Sequence, residues 1–228
     1  MINPAPRLAQ AARLSMNRQI AYEQAVYGTF PFWNRGYAVL ARSVRCRAEW
    51  LDALRMACQR FGERPAGVVE RSCFFAMPLS GGPWMIVGVF PQGSDDKGRP
   101  GALAFHAIFV SRWAYWWAGA DPFVALRALR GSWSETDKDM LLPSGRLVVS
   151  PSRIAPASEP EHLIQRIVGE IKRGQKIVID SAEPIEDLAR AIWQRLPGRI
   201  RRRASVASWA FCNANQFDLV AIPVVTRP

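Results

Sequence analysis

The sequence predicts an α+β fold, with a mixed β-sheet packed with helices and a C-terminal part of α/β character. Three observations carry that expectation. Short apolar runs bounded by turn residues fill the middle of the chain. Apolar stripes at helical spacing lie on either side of them. After residue 158 helix and strand patterns alternate, as they do in parallel elements with crossover packing. The expected organisation is a disordered tail over 1–20, a mainly β subdomain over 21–150 with a central strand at 102–110, and a small α/β subdomain over 151–228 packed on the first. The Pro- and Ser-rich stretch 150–160 marks the boundary.

The elements follow in order. Asn34-Arg35-Gly36 is a hairpin signal, with Thr29 to Trp33 as one arm and the alternating Tyr37 to Ser43 as the other. Trp50, Leu51, Leu54, Ala57, Cys58 and Phe61 share one face of a helix that Gly62 should cap. Cys73 to Pro78 and Trp84 to Phe90 read as strands joined by Ser80-Gly81-Gly82-Pro83, and Pro91 to Gly101 as a loop. Leu103 to Val110 is apolar on both faces, the pattern of a doubly covered strand.

Asp121 and Pro122 open a short helix as N-cap and first-turn proline. Ser132 to Ser144 reads as a surface loop and Arg146 to Val149 as a short strand. Ser158 and Glu161 form a capping-box signal before the stripe Leu163, Ile164, Ile167, Val168 and Ile171. Lys176 to Asp180 is a strand, Ile185 to Leu196 a second helical stripe, and Ser205 to Phe211 and Leu219 to Ile222 are strands.

Composition narrows the function classes. Hydrophobic residues make up 49% of 228, enough for a sizeable core, and no run approaches the roughly 20 apolar residues of a membrane helix. Residues 1–20 carry Arg7, Arg13 and Arg18 but no continuous apolar stretch, so a disordered tail or an early start codon is expected there rather than a secretory signal. The 4 cysteines and 2 histidines form no metal-ligand spacing. Scattered cysteines suit a reducing cytoplasm, which is the expected compartment; a secreted disulfide framework is the alternative. Nucleophile elbows, phosphate loops and zinc-protease motifs are missing. No catalytic, cofactor-binding or metal-binding residue is therefore assigned, and no cofactor is expected.

Three constellations remain. Asp95, Asp96, Gly98, Arg99 and Gly101, followed by His106, could place carboxylates and an arginine beside a histidine base. Alternatively, the glycines shape a turn that Arg99 anchors through an aspartate, and His106 is a core histidine on an apolar strand. Arg195, Arg199, Arg201, Arg202 and Arg203, in a chain of net charge +11, suit phosphate or an acidic partner, or else form a solvated turn. If extended, they alternate toward strand 205–211, with Glu183, Glu186 or Asp187 as ion-pair partners. Trp113, Tyr115, Trp116 and Trp117 divide between core and interface; in an extended chain Trp116 and Trp117 would face opposite ways.

The order of these features resembles the N-terminal module of bacterial GTPase-associated system proteins. The resemblance runs over residues 23 to about 210. It rests on Glu23-Gln24-Ala25-Val26-Tyr27-Gly28, the strand Gly36 to Ser43, Gly98-Arg99-Pro100-Gly101 leading to Phe105-His106-Ala107, and Leu196-Pro197, Arg203 and Ser205-Val206-Ala207-Ser208. The chain departs from longer members by ending soon after the module. The resemblance implies an adaptor or scaffold whose partners are other proteins, among them a small GTPase and further subunits of the same system; no catalysis of its own is expected, and the lack of a long apolar run leaves no membrane partner expected. The alternatives are a nucleic-acid-binding protein using the 195–203 arginines, and a hydrolase or transferase centred on His106 with Asp95 or Asp96.

Overall fold

Every described strand belongs to one mixed sheet of ten strands, and helices cover both of its faces. The computed structural model describes residues 18–149 and 159–223. The expected linker at 150–158, the cap at Ser158 and the tail up to residue 17 lie outside them. The strands are β1 (Arg18–Gly28), β2 (Ala38–Ser43), β3 (Cys73–Pro78), β4 (Trp84–Ser94), β5 (Pro100–Val110), β6 (Leu141–Leu142), β7 (Gly145–Val149), β8 (Ile177–Asp180), β9 (Val206–Ala207) and β10 (Leu219–Ile222). The helices are α1 (Ala48–Gln59), α2 (Arg112–Trp117), α3 (Glu161–Lys172), α4 (Glu186–Arg195) and the single turn α5 (Gly198–Arg201), with 3-10 turns at Pro122–Ala128 and Glu135–Asp137.

The sheet runs β6-β2-β1-β5-β4-β3-β9-β10-β8, and β7 pairs β1. The strands β1 to β5 pair antiparallel with one another, whereas β10 runs parallel to both β8 and β9. The parallel element expected after residue 158 is therefore present. It continues the sheet of the first part at β3 rather than forming a separate layer.

Four expectations need correction. The tail boundary falls earlier, since Arg18 to Ile20 already belong to β1. The first hairpin arm is β1, not Thr29 to Trp33, which lies in the connection to β2. Pro91 to Gly101 is mostly strand: β4 and β5 form one long hairpin, and bulges around Gly93 absorb the residues that look like a loop. Of Ser205 to Phe211 only Val206–Ala207 pairs as strand.

The seam between the two parts of the sheet is narrow. β3 and β9 share the pairs Phe75↔Ala207 and Ala76↔Val206. Buried Ser208 extends it: its amide donates to the Phe74 carbonyl at 2.8 Å and its hydroxyl accepts from the Phe74 amide at 3.0 Å. One core packs α3, α4 and the 122–128 turn against Ile86, Ile108 and Leu219. The other packs α1 against Phe75, Met85, Val87, Phe105 and Val220. Both cores draw on both halves of the chain, so the seam is backed by apolar packing on each face.

Candidate functional site

His106 sits on β5 and is 1% exposed, where the apolar run around it predicts it to be. Its Nδ1 accepts the amide of Arg130 at 2.8 Å, so the ring proton lies on Nε2, which donates to Gln24 Oε1 at 2.8 Å. Gln24 in turn donates to the Pro143 carbonyl at 2.7 Å. Burial, with the Arg130 charge nearby, lowers the His106 pKa from 6.5 to about 4. Both ring nitrogens are committed to holding the 130–143 segment on the sheet, and the imidazole stays neutral.

Asp95 and Arg99 close the β4–β5 hairpin. Asp95 accepts the amides of Lys97 and Arg99 at 2.9 and 2.8 Å and the Arg99 Nε at 2.7 Å. Desolvation pushes its carboxyl up, but the backbone and side chain of Arg99 and the Lys97 amide together outweigh it and hold the carboxyl below the usual carboxylate range. Asp96 accepts the amide of Gly36 at 3.0 Å and so ties this turn to the β1–β2 connection. Gly98 and Gly101 both have positive φ, at 76° and 97°. The segment is a fixed turn built from its own residues. Neither aspartate hydrogen-bonds to His106, so these groups are not assembled as an acid–base pair. Cys73 offers no nucleophile beside them, because burial pushes its thiol pKa well up.

The other two constellations meet at the surface. Residues Arg112–Trp117 form α2, not an extended segment, and the Ser111 hydroxyl accepts the Ala114 amide at its start. The helix turns Tyr115 inward, where it stacks on Trp84 at 4.1 Å. Trp113, Trp116 and Trp117 are left 71%, 40% and 43% exposed. Trp113 and Trp117, one turn apart, stack at 6.2 Å with planes 14° apart.

The arginines also depart from the alternation expected of a strand. Pro197-Gly198 ends α4 and begins α5, which buries Ile200 and leaves Arg199, Arg202 and Arg203 exposed, with Arg201 half-buried. None of the acids expected to pair with them does so: Glu183 pairs with Arg71 and Glu186 with Arg190, and Asp187 forms no ion pair among the described residues. Arg195 pairs with Glu161. Arg202 lies over the Trp116 ring at 5.6 Å. Arg199, Arg202 and Arg203 form no ion pair among the described residues.

Trp113 and Trp117 of α2 line an open groove of about 1200 Å³ together with Tyr22, Trp50, Met56 and Phe109. The sequence gives no sign of this groove, because its walls come from β1, α1, β5 and α2. Arg112 fixes one rim by donating to the carbonyls of Gly82 and Leu79 at 2.9 and 2.6 Å. Trp116 thus meets Arg202 at the surface beside exposed Arg199 and Arg203, and Trp117 lines the groove, whereas Asp95, Asp96, Gly98, Arg99, Gly101 and His106 serve the sheet and its hairpin.

All four cysteines are free. Among the described residues no helix is long and apolar enough to cross a membrane, and no three His, Cys, Asp or Glu side chains gather where a metal could be held. Comparison of the chain with protein-family models, curated proteins and solved structures gives no match.

Proposed function

We propose that this chain is a protein–protein adaptor that engages its partner through the α2–α5 face. The observation that carries the reading is the exposed set Trp113, Trp116 and Trp117, with Arg202 over Trp116, beside Arg199 and Arg203, which form no ion pair among the described residues. Trp and Arg are the residue types that dominate binding energy at interfaces, and a half-exposed indole flanked by a cation suits an anchor. The adjoining groove gives such a face depth. The finer reading takes the partner to be a small GTPase, or another subunit of a bacterial GTPase-associated system, in the cytoplasm. Its support is the order of sequence features over residues 23 to about 210, together with four free thiols.

The test is quantitative capture from extract of the native host by the wild-type chain and by a Trp113→Ser, Trp116→Ser double variant. A defined partner set that the variant loses supports the reading. Capture of nothing specific, or equal capture by both chains, overturns it. A GTPase among the lost partners would carry the finer reading.

A second reading rests on the same arginines, since aromatic stacking beside cations also binds single-stranded nucleic acid. An adaptor should bind duplex DNA no tighter than about 10⁻⁴ to 10⁻⁶ M at physiological salt, with affinity falling steeply as salt rises. Sub-micromolar, sequence-selective binding that is lost on replacing Arg199, Arg202 and Arg203 would move the function to nucleic acid.

A further inference from the structure

We propose that β8 is a self-pairing edge through which two copies of this chain join their sheets about a two-fold axis at Val178. β8 ends the strand order, and among the described residues no strand pairs with its outer side. Ile177 and Ser181 donate their amides inward, to the carbonyls of Asp218 and Ile222 at 2.9 Å. Strand alternation therefore turns the backbone groups of Lys176, Val178 and Asp180 outward. All three residues are exposed, Val178 by 47%.

The sequence across this edge is complementary to itself. An antiparallel pairing centred on Val178 sets Lys176 opposite Asp180 of the second copy, Ile177 opposite Ile179, and Val178 opposite Val178. The residues with outward amides are then the ones that face each other, so each becomes a hydrogen-bonded pair of an antiparallel ladder. A one-residue slip would pair outward amides with inward ones. On one sheet face the two outer pairs join opposite charges around an apolar centre, which favours this register. On the other face the half-buried Ile177 and Ile179, which pack against the first core, continue into those of the partner. Among the described residues Lys176 reaches Gln216, at 2.8 Å, and neither Lys176 nor Asp180 forms an ion pair. Neither a proline nor a bulge interrupts the β8 edge, and the charges flanking it, Lys176 and Asp180, are of opposite sign and so attract rather than repel a second copy in this register. The two-fold contact is isologous and closes at two copies.

Sedimentation velocity on the full chain tests the proposal. The wild type should pass from monomer to dimer as its concentration rises through the micromolar range. Lys176→Asp and Asp180→Lys each place like charges opposite one another and should weaken self-association tenfold or more. Mixed together, the two variants present complementary edges and should recover a heterodimer. Recovery on mixing also shows that both variants are folded. A wild type that stays monomeric throughout, a dimer indifferent to either reversal, or variants that do not associate on mixing would each overturn the proposal.

Discussion

His106 keeps a neutral imidazole inside the sheet because Arg130 and Gln24 occupy its two nitrogens and burial penalises the charge. An unfolded His takes up its proton near 6.5 and the folded one only near 4. The folded state is then relatively destabilised as pH falls between those values. The contribution is complete above 6.5, is lost progressively down to about 4 and amounts to ~3 kcal/mol. Denaturant midpoints measured across that range should fall with pH in the wild type and stay nearly level in a His106→Gln variant down to the pH where carboxylates begin to titrate. Gly101 gives a second residue-scale expectation. Its φ is 97°, and a Cβ there would lie 2.6 Å from Glu70 Oε1 and 3.1 Å from Arg64 Cζ. Gly101→Ala should cost about 1–3 kcal/mol, read by the same unfolding measurement. The burial of His106 and the Asp95–Arg99 contact were legible, because apolar neighbours and short spacing announce them. The Gln24 partner was not: a buried glutamine is marked only by what it bonds, and here that is 82 positions away.

At the scale of elements, α2 separates core from surface within six residues. Tyr115 lies against Trp84, and its hydroxyl has no partner among the described residues. Tyr115→Phe should therefore be neutral or stabilising by up to about 1 kcal/mol. Tyr115→Ala should cost ~3–5 kcal/mol. Trp116→Ser should stay within about 0.5 kcal/mol of the wild type and act on partner capture instead. Thermal and chemical unfolding of the three variants would distinguish this orientation from an extended segment, in which Tyr115 and Trp116 would not differ so sharply. The stripes of α1, α3 and α4 were readable because each has one partner face throughout. β1 hid itself by changing partners: Arg18–Tyr22 pairs with β7, Glu23–Tyr27 with β5, and Ala25–Gly28 also with β2. No single alternation survives such a change. The β4–β5 hairpin resembles a loop where Pro91 and Gly93 punctuate it, since a bulge accommodates the same residues that end a strand. The α2–α5 face was half legible. Trp116, Trp117 and the arginines stood out as residues, but their meeting depends on Ile200 and Tyr115 burying beneath them.

For the whole molecule, the mixed sheet and the helices on its faces follow from patterns that single segments carry, and the α+β class was readable from them. The order of strands was not, because it joins β3 to a strand far along the chain. Phe74 and Ser208, bonded across that seam, are 134 positions apart. Closing so long a loop is slow, whereas β3, β4 and β5 are consecutive antiparallel neighbours with short connections. The seam should accordingly form late, after the barrier to folding has been crossed. Ser208→Ala removes its hydroxyl bonds to Phe74 and should speed unfolding in stopped-flow measurements while leaving the refolding rate close to that of the wild type. A matching drop in the refolding rate would place the seam in the nucleus instead. Until it closes, each newly made chain carries an uncovered β3 with Phe74, Phe75 and Ala76 along a bare edge, so the interval between synthesis of residue 78 and of residue 206 is when aggregation threatens it most.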